Sequence, residues 1–231
     1  EIIEIIKERN PKSLGISSTT YALPSSILLS ERLRKEFPNL LIILGGAHAI
    51  VAGEHAAKTF PCFDLISCAP EGEPVILDIM QKFSKHNFNR ETFLNDIEIM
   101  ESIKGIIFRN KDSIVKNASG DIIKDLDLLP EPARDLFPLE RYVPLPNQYK
   151  KLPLTNMVVI RGCPYVCTFC DQAATTARRR SPQKVIDEIK NVVEKYGVKE
   201  ISFWDDTMSY HKAWMKEFCE LLIKVKLDII W

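Results

Sequence analysis

Short apolar runs alternate with helix-spaced stretches at both ends of this chain, and that rhythm restricts its fold more than any other feature. In the first zone "EIIEIIKER" has helical spacing, and "SLGIS" follows Pro11 as a short buried strand. The amphipathic "PSSILLSERLRKEF" leads to "NLLIILGG", an apolar strand closed by two glycines. "AIVAGEHAAKTF" returns to helix, "FDLIS" to strand and "EPVILDIMQKF" to helix. Such alternation predicts a parallel sheet with helices on both faces. The last zone repeats it. "TNMVVI" is a strand, "SPQKVIDEIKNVVEKYG" a helix with Ser181 as N-cap, Pro182 at its first position and Gly197 past its end. "KEISFWDD", "HKAWMKEFCELLIKVK" and "LDIIW" continue as strand, helix and strand.

Between the two zones the rhythm breaks. "KGIIFRN" and "SIVKNA" read as a hairpin, and prolines at 130, 132, 138, 144 and 146 exclude regular elements from the stretch that carries them. The expected organisation is therefore 1–85 as a parallel α/β domain, 86–154 as a connector holding the hairpin and the Pro-rich segment, and 155–231 as the start of a second α/β unit. Two and a half strand–helix units cannot close an eight-stranded barrel, which needs about 200 residues or more. The first residue is Glu1, not Met, and the last residues read as a strand stopping within a core, so a fragment of a longer protein is expected.

Composition narrows the partners. Thirty-one basic residues balance 31 acidic ones, so no global field favours nucleic acid or an anionic membrane. The longest apolar runs are of strand length, far short of a membrane span. The charged opening "EIIEIIKERN" is no signal peptide. A reducing, cytoplasmic setting is expected, which disfavours structural disulfides.

Half of the six cysteines then need a reason to sit in one loop. "VIRGCPYVCTFCDQA" places Cys163, Cys167 and Cys170 directly after a strand, with Phe169 before the last. Structural zinc takes four ligands, usually as two close pairs, and no second pair follows. Cys219 lies mid-helix among apolar residues and reads as a core thiol, and His211 reads as a helix cap. Three thiolates can instead hold three irons of a 4Fe–4S cube and leave the fourth iron to a small molecule, where fully ligated clusters use four cysteines. A zinc-stabilised binding module is the non-enzymatic alternative. Two loops of the first zone also invite a ligand. Ser17 and Thr19 follow one strand and Gly45, Gly46 and His48 the next, where parallel sheets bind ligands. A tight turn alone accounts equally well for the glycines, and a hydrogen-bonding turn role for His48.

The motif CxxxCx-aromatic-C, met by Cys163, Cys167, Phe169 and Cys170, resembles that of radical S-adenosylmethionine enzymes. The resemblance implies a 4Fe–4S cluster on the three cysteines, with the amine and carboxylate of S-adenosylmethionine on the open iron and Phe169 beside the adenine. It also implies reductive cleavage to a 5′-deoxyadenosyl radical, and an external electron donor such as flavodoxin or ferredoxin. Family members often carry Gly-Gly-Glu where this chain has "FWDDT", so Asp205 or Asp206 would take the methionyl ammonium. Arg180, in the run Arg178–Arg179–Arg180, would meet the carboxylate of S-adenosylmethionine or a substrate anion; an exposed basic run is the plainer reading. No catalytic residue beyond the cluster site is implied.

The order "PKSLGIS", "LIILGGAHA", "FDLISCAPEGEP", "KGIIFRN", "DLDLLPEPARDLFPLERY", "RGCPYVCTFC" is similar to the cobalamin-binding members of that family over nearly the whole chain. It implies a Rossmann-like cobalamin domain, lacking its first strand, followed by the start of a partial TIM barrel. Ser17, Thr19, Gly45, Gly46, His48, Glu71 and Gly72 would face cobalamin, although Ala69–Pro70 depart from the usual start of the acidic-glycine motif. The implied activity is methyl transfer to an unactivated centre of a small molecule, with radical cyclisation or rearrangement as the alternative.

Overall fold

The first unit, Glu1–Ile123, is organised by which strands are apolar on both faces. Its elements run α1 (Ile2–Arg9), β1 (Ser13–Ser17), α2 (Leu23–Glu36), β2 (Leu41–Gly45), α3 (Ala47–Thr59), β3 (Leu65–Ser67) and α4 (Gly72–Lys85). Two short helices, α5 (Arg90–Asn95) and α6 (Ile97–Glu101), lead to β4 (Ile106–Asn110) and β5 (Ser113–Lys116). The sheet order is β1-β2-β3-β4-β5, parallel as far as β3 and antiparallel beyond it. This computed structural model describes residues 1–170 and 173–231 of the chain.

Helices α1, α2 and α3 bury Ile42, Leu44, Ile66 and Ile107 on one face of the sheet. Helices α4, α5 and α6 bury Leu41, Ile43, Leu65, Ile106 and Phe108 on the other. The hairpin expected within a connector is thus the far edge of this sheet, and the first unit runs on to Ile123. The physical reason is visible in β4. Ile106, Ile107 and Phe108 are consecutive and all buried, the pattern of a strand covered on both faces, which an isolated hairpin cannot provide.

At the opposite end of the strands from the glycine loops, Asp64 is almost wholly buried. Its carboxylate accepts the Ile42 N–H at 2.8 Å and pairs with Arg34 Nη2 and Arg90 Nη2, each at 2.6 Å. One charge thereby ties α2, β2 and the start of α5 to the entry of β3.

The second unit, Lys124–Trp231, begins with the Pro-rich segment, which forms three 3₁₀ turns, Leu126–Leu128, Arg134–Leu136 and Leu139–Arg141. Then come β6 (Leu154–Met157), β7 (Ile160–Arg161), β8 (Arg178–Arg179), α7 (Pro182–Tyr196), β9 (Glu200–Phe203) and α8 (Lys212–Val225). Strand β6 pairs parallel with β9, and β7 antiparallel with β8. The expected caps of α7 are in place: Ser181 Oγ accepts the Lys184 N–H, and Gly197 adopts φ +63°. The expected third strand is reduced to a single parallel bridge between Ile230 and Glu200.

Helices α7 and α8 cover one face of this small sheet, burying Met157, Val159, Ile189, Ile201 and Phe218. The opposite face carries Asn156, paired in register with Ser202. Val158 and Trp204, which alternate with the helix-covered residues, are exposed.

Replacing Asp64 with Ala should lower the stability of the first unit by about 3 kcal/mol, since removing one partner of a buried pair leaves the other charges unmatched. Urea unfolding followed by circular dichroism measures it, and a loss under 1 kcal/mol would refute the role assigned to Asp64.

Candidate functional site

Strand β6 stops where Asp205 intervenes. The stretch expected as one strand, "TNMVVI", is divided between β6 and β7 because Asp205 Oδ1 accepts both the Val159 and the Ile160 N–H at 2.7 Å. These donors bend the chain into the cysteine loop. The second carboxylate oxygen, Oδ2, is buried and has no hydrogen-bond partner among the described residues, and the same holds for Thr207 Oγ1. Burial raises the Asp205 carboxyl pKa above the usual carboxylate range, against the lowering effect of the two backbone donors. Asp206 is exposed. The structure therefore separates two residues that the sequence left equivalent: Asp205 is turned inward and Asp206 outward. Thr207 had no sequence signal beyond its neighbours.

The cysteine loop is tied at its base and open at its tip. Gly162 has φ +84°, a backbone conformation that favours glycine. Thr175 Oγ1 accepts the Cys163 N–H at 2.8 Å, Cys163 O accepts the Thr175 N–H at 2.9 Å, and Tyr165 O accepts the Ala174 N–H at 2.7 Å. Cys167, Cys170 and Phe169 are exposed and Cys163 is half-buried; none is in a disulfide. Among the described residues no three His, Cys, Asp or Glu side chains converge as metal ligands. The remaining cysteines differ. Burial pushes the Cys62 and Cys68 thiols up, away from the thiolate that binds metal. Cys219 lies on α8 against Met215 and the core.

Arg180 does not reach an open site. Its guanidinium pairs with the buried Glu188 carboxylate, whose other oxygen takes Arg134 Nη2 at 2.6 Å. Arg180 also donates its N–H to Val159 O at 2.9 Å and accepts Trp214 Nε1–H at 2.7 Å. It is thus a structural residue at the root of the loop, in place of the ligand contact expected from the basic run. Arg179 lies over the Tyr210 ring and donates to its hydroxyl.

In the first unit the two glycines prove unequal. Gly46 has φ +83°, and a Cβ there would lie 2.7 Å from Ser17 Oγ and 2.7 Å from the Ser18 N. Ser18, unremarked in the sequence, stitches the loops: its N–H donates to Gly45 O and its carbonyl accepts the His48 N–H, both at 3.0 Å. Gly46 is thus required by chain packing alone. A Cβ on Gly45 would meet nothing within 4 Å, and the same is true of Gly15. Ser17 pairs in register with Gly45, and both point to the same face as Gly15. Gly15 and Ser17 are exposed and Gly45 half-buried, so beyond the buried Ile43 that pairs with Gly15 this face carries only small side chains at the C-terminal ends of β1 and β2. Gly15 could have been suspected, since glycine inside a strand often marks close approach of another group.

Of the other residues expected there, Thr19 is exposed, with Oγ1 accepting the Ala22 N–H. His48 is buried, its Nδ1 3.0 Å from Thr20 Oγ1 and its Nε2 without a partner among the described residues. Glu71 is buried and accepts the Ile123 N–H at 2.9 Å, which holds the end of the first unit. Gly72 opens α4 with free space around its Cα.

A strand running into an exposed three-cysteine loop, with an inward carboxylate from the next strand, is now in view. Residues 157–230 match the Radical SAM superfamily. The Radical SAM segment and the unit before it are both covered by curated relatives. An uncharacterized methyltransferase of Pyrococcus horikoshii is 27% identical over 237 residues, spanning 100% of this chain and 47% of the relative. The anaerobic magnesium-protoporphyrin IX monomethyl ester cyclase of Cereibacter sphaeroides is 30% identical over 228 residues, 96% of this chain and 35% of the relative. Cytidylyl-2-hydroxyethylphosphonate methyltransferase of Streptomyces wedmorensis is 25% identical, with 90% of this chain and 42% of the relative covered. The chain thus spans less than half the length of each. No helix among the described residues is long and apolar enough to cross a membrane.

Two expectations follow for stability. Gly46→Ala should cost about 1–3 kcal/mol, the range for a side chain forced into a glycine-only conformation, while Gly45→Ala should leave unfolding within about 0.5 kcal/mol of the parent. Glu188→Leu should cost about 3 kcal/mol or more by stranding two arginines. Chemical denaturation of the three variants checks both, and equal behaviour of the two glycine variants would overturn the distinction drawn between them.

Proposed function

We propose that the full-length protein is a cobalamin-dependent radical S-adenosylmethionine methyltransferase, with its iron–sulphur site on Cys163, Cys167 and Cys170. The observation that carries this reading is the pairing of an exposed three-thiol loop with the inward Asp205 of the next strand. The donor set suits the group, since soft thiolates select iron–sulphur clusters and the three thiols are outside any disulfide. Bound there, the cluster and S-adenosylmethionine supply a carbon radical, and cobalamin supplies the methyl group.

This chain's own residues do the positioning. Asp205 keeps one oxygen on the backbone at the root of the loop and leaves the other for the methionyl ammonium, with the Thr207 hydroxyl as a second unused polar group nearby in sequence. Phe169, exposed beside Cys170, offers an apolar face to the adenine. In the first unit the strip of Gly15, Ser17 and Gly45 would admit the cobalamin tail against bare backbone. Gly72, with free space around it, and Thr19 and His48 stand beside this reading; Gly46 and Glu71 support it only by holding the loops. The names of two relatives favour methyl transfer. Radical cyclisation is the second reading, favoured by three relatives named as cyclases that cover 96–100% of this chain.

Anaerobic reconstitution of the full-length protein should give about four irons and four sulphides per chain. Each of Cys163→Ala, Cys167→Ala and Cys170→Ala should abolish them, and Cys219→Ala should not. Asp205→Asn, which keeps an acceptor for the two N–H groups, should weaken S-adenosylmethionine binding by about 10- to 100-fold, the worth of one hydrogen bond to a charged group, with iron content unchanged. Cluster loss from Cys219→Ala, or unaltered binding in Asp205→Asn, would refute the respective assignment.

A further inference from the structure

Charge does not balance at the entry to β3. Both oxygens of Asp64 are taken by Arg34, Arg90 and the Ile42 N–H, yet a third guanidinium arrives from β4. Arg109 Nη1 donates to Phe63 O at 2.9 Å, and its Nη2 to Phe60 O at 2.9 Å and to Phe63 O at 2.7 Å. Those carbonyls lie in the turn from α3 into β3 and satisfy hydrogens without supplying a counter-ion. Among the described residues no carboxylate lies within ion-pair distance of Arg109. Burial lowers the Arg109 pKa, and Arg90 and Arg34 push the same way against the opposing pull of Asp64.

The surplus faces a hollow. Arg90, Arg109 and Asp64 line a cavity of about 130 Å³ whose other walls include Phe63, Leu94 and Phe108. Arg90 spends Nε and Nη2 on Asp64 Oδ1, at 3.0 and 2.6 Å, so its Nη1 has no acceptor among the described residues. Arg109 Nε is likewise without one. A guanidinium is a planar fork of donors that suits oxyanions, and apolar walls strengthen the attraction. The volume is several times what one water requires. It is also well under the roughly 300 Å³ at which small-molecule sites begin. A small ion fits, or the charged end of a larger molecule.

We propose that this cavity binds a tetrahedral dianion between Arg90 and Arg109, either inorganic phosphate or the phosphoryl group of a phosphomonoester. Three guanidiniums less one carboxylate leave two positive charges for two negative ones. Asp64 does not compete for the free N–H groups, because its own oxygens are already engaged. The site lies at the opposite end of the strands from the glycine loops and is independent of the radical reading. A bound anion joins α5, through Arg90, to β4, through Arg109. The stability of the first unit then rises with the supply of that anion, as for any ligand held by the folded state alone.

Inorganic phosphate is titrated calorimetrically into the full-length protein at fixed ionic strength, beside methyl phosphate and sodium chloride. Phosphate should bind saturably and chloride should not. Binding of phosphate alone supports the free ion as ligand, and equal binding of methyl phosphate supports the phosphoryl end of a larger molecule. Arg109→Gln, which keeps an N–H donor for the carbonyls, should weaken phosphate binding at least about tenfold, the worth of one hydrogen bond to a charged group. Lys58→Gln, at an exposed lysine in the last turn of α3, should change it less than about twofold. Circular dichroism establishes whether the variants fold. If Arg109→Gln does not, hydrogen exchange of the unsubstituted protein decides, since phosphate should slow exchange in peptides covering 60–64, 90–95 and 106–110 and leave 212–225 unchanged. Absence of saturable binding, an equal effect of chloride, less than a twofold effect of Arg109→Gln in a folded variant, or no protection of those three peptides would overturn the proposal.

Discussion

A single carboxylate almost out of contact with water, that of Glu188, sits between two guanidiniums, and the layout of the second unit depends on it. Burying a lone charge costs several kcal/mol even after relaxation, so such a group persists only where partners surround it. Here one partner, Arg134, is delivered by the Pro-rich segment, and the other, Arg180, by the end of β8. Arg134 also donates to Thr155 Oγ1 and Asn156 O, so the segment is held along β6. Arg180 reaches Val159 and Trp214 through its backbone. Four elements are joined at a point that no apolar contact could specify as narrowly. The first unit repeats the device with Asp64 among Arg34, Arg90 and the Ile42 N–H.

Other buried carboxylates act on backbone donors, where irregular chain meets regular strand. Glu200 accepts the N–H groups of Lys150 and Lys151, Glu71 that of Ile123, and Asp205 those of Val159 and Ile160. A loop entering a core must satisfy its N–H groups or lose their hydration energy, and an ionised carboxylate accepts two at once. Rigidity is thereby placed at the roots of the loops. Among the described residues, the tip that carries Cys167, Phe169 and Cys170 receives few such restraints.

Features fixed by local rules were legible in the sequence, and those fixed by distant partners were not. The caps of α7, the limits of β1 and the strands around both glycine loops follow from neighbouring residues and appear where expected. The cysteine loop was singled out by its spacing, and it lies within residues 157–230, which match the Radical SAM superfamily. Arg180 looked like part of an exposed basic run because nothing nearby announces Glu188, eight residues on and one helix face away. The two glycines of the second loop looked alike, since only the path of the Ser17–Ser18 backbone reveals which must lack a side chain. The hairpin's place in the sheet escaped for the same reason. Its turn signal is local, whereas the burial of Ile106–Phe108 on both faces depends on helices distant in the sequence.

Asp205 shows how a stabilising device and a binding device can share one side chain. Its pKa lies above the usual carboxylate range because burial outweighs the two N–H groups that favour the ionised form. A carboxyl raised in the folded state contributes no stability from its charge. Ionising it costs folding free energy, and that cost develops as pH rises from the unfolded value through the folded one. In its ionised form the folded protein holds a negative oxygen, Oδ2, that is buried and unmatched among the described residues. A cation delivered to that oxygen would recover the cost at the moment of binding, while Oδ1 keeps its hold on Val159 and Ile160. Such an arrangement places the expense of desolvation in the ligand-free state, where it weakens folding slightly, and returns it as affinity for a positively charged group. The ammonium of the proposed cosubstrate is a group of that kind, and the uneven treatment of the two carboxylate oxygens is the physical basis for assigning it to Asp205 rather than to the solvated Asp206.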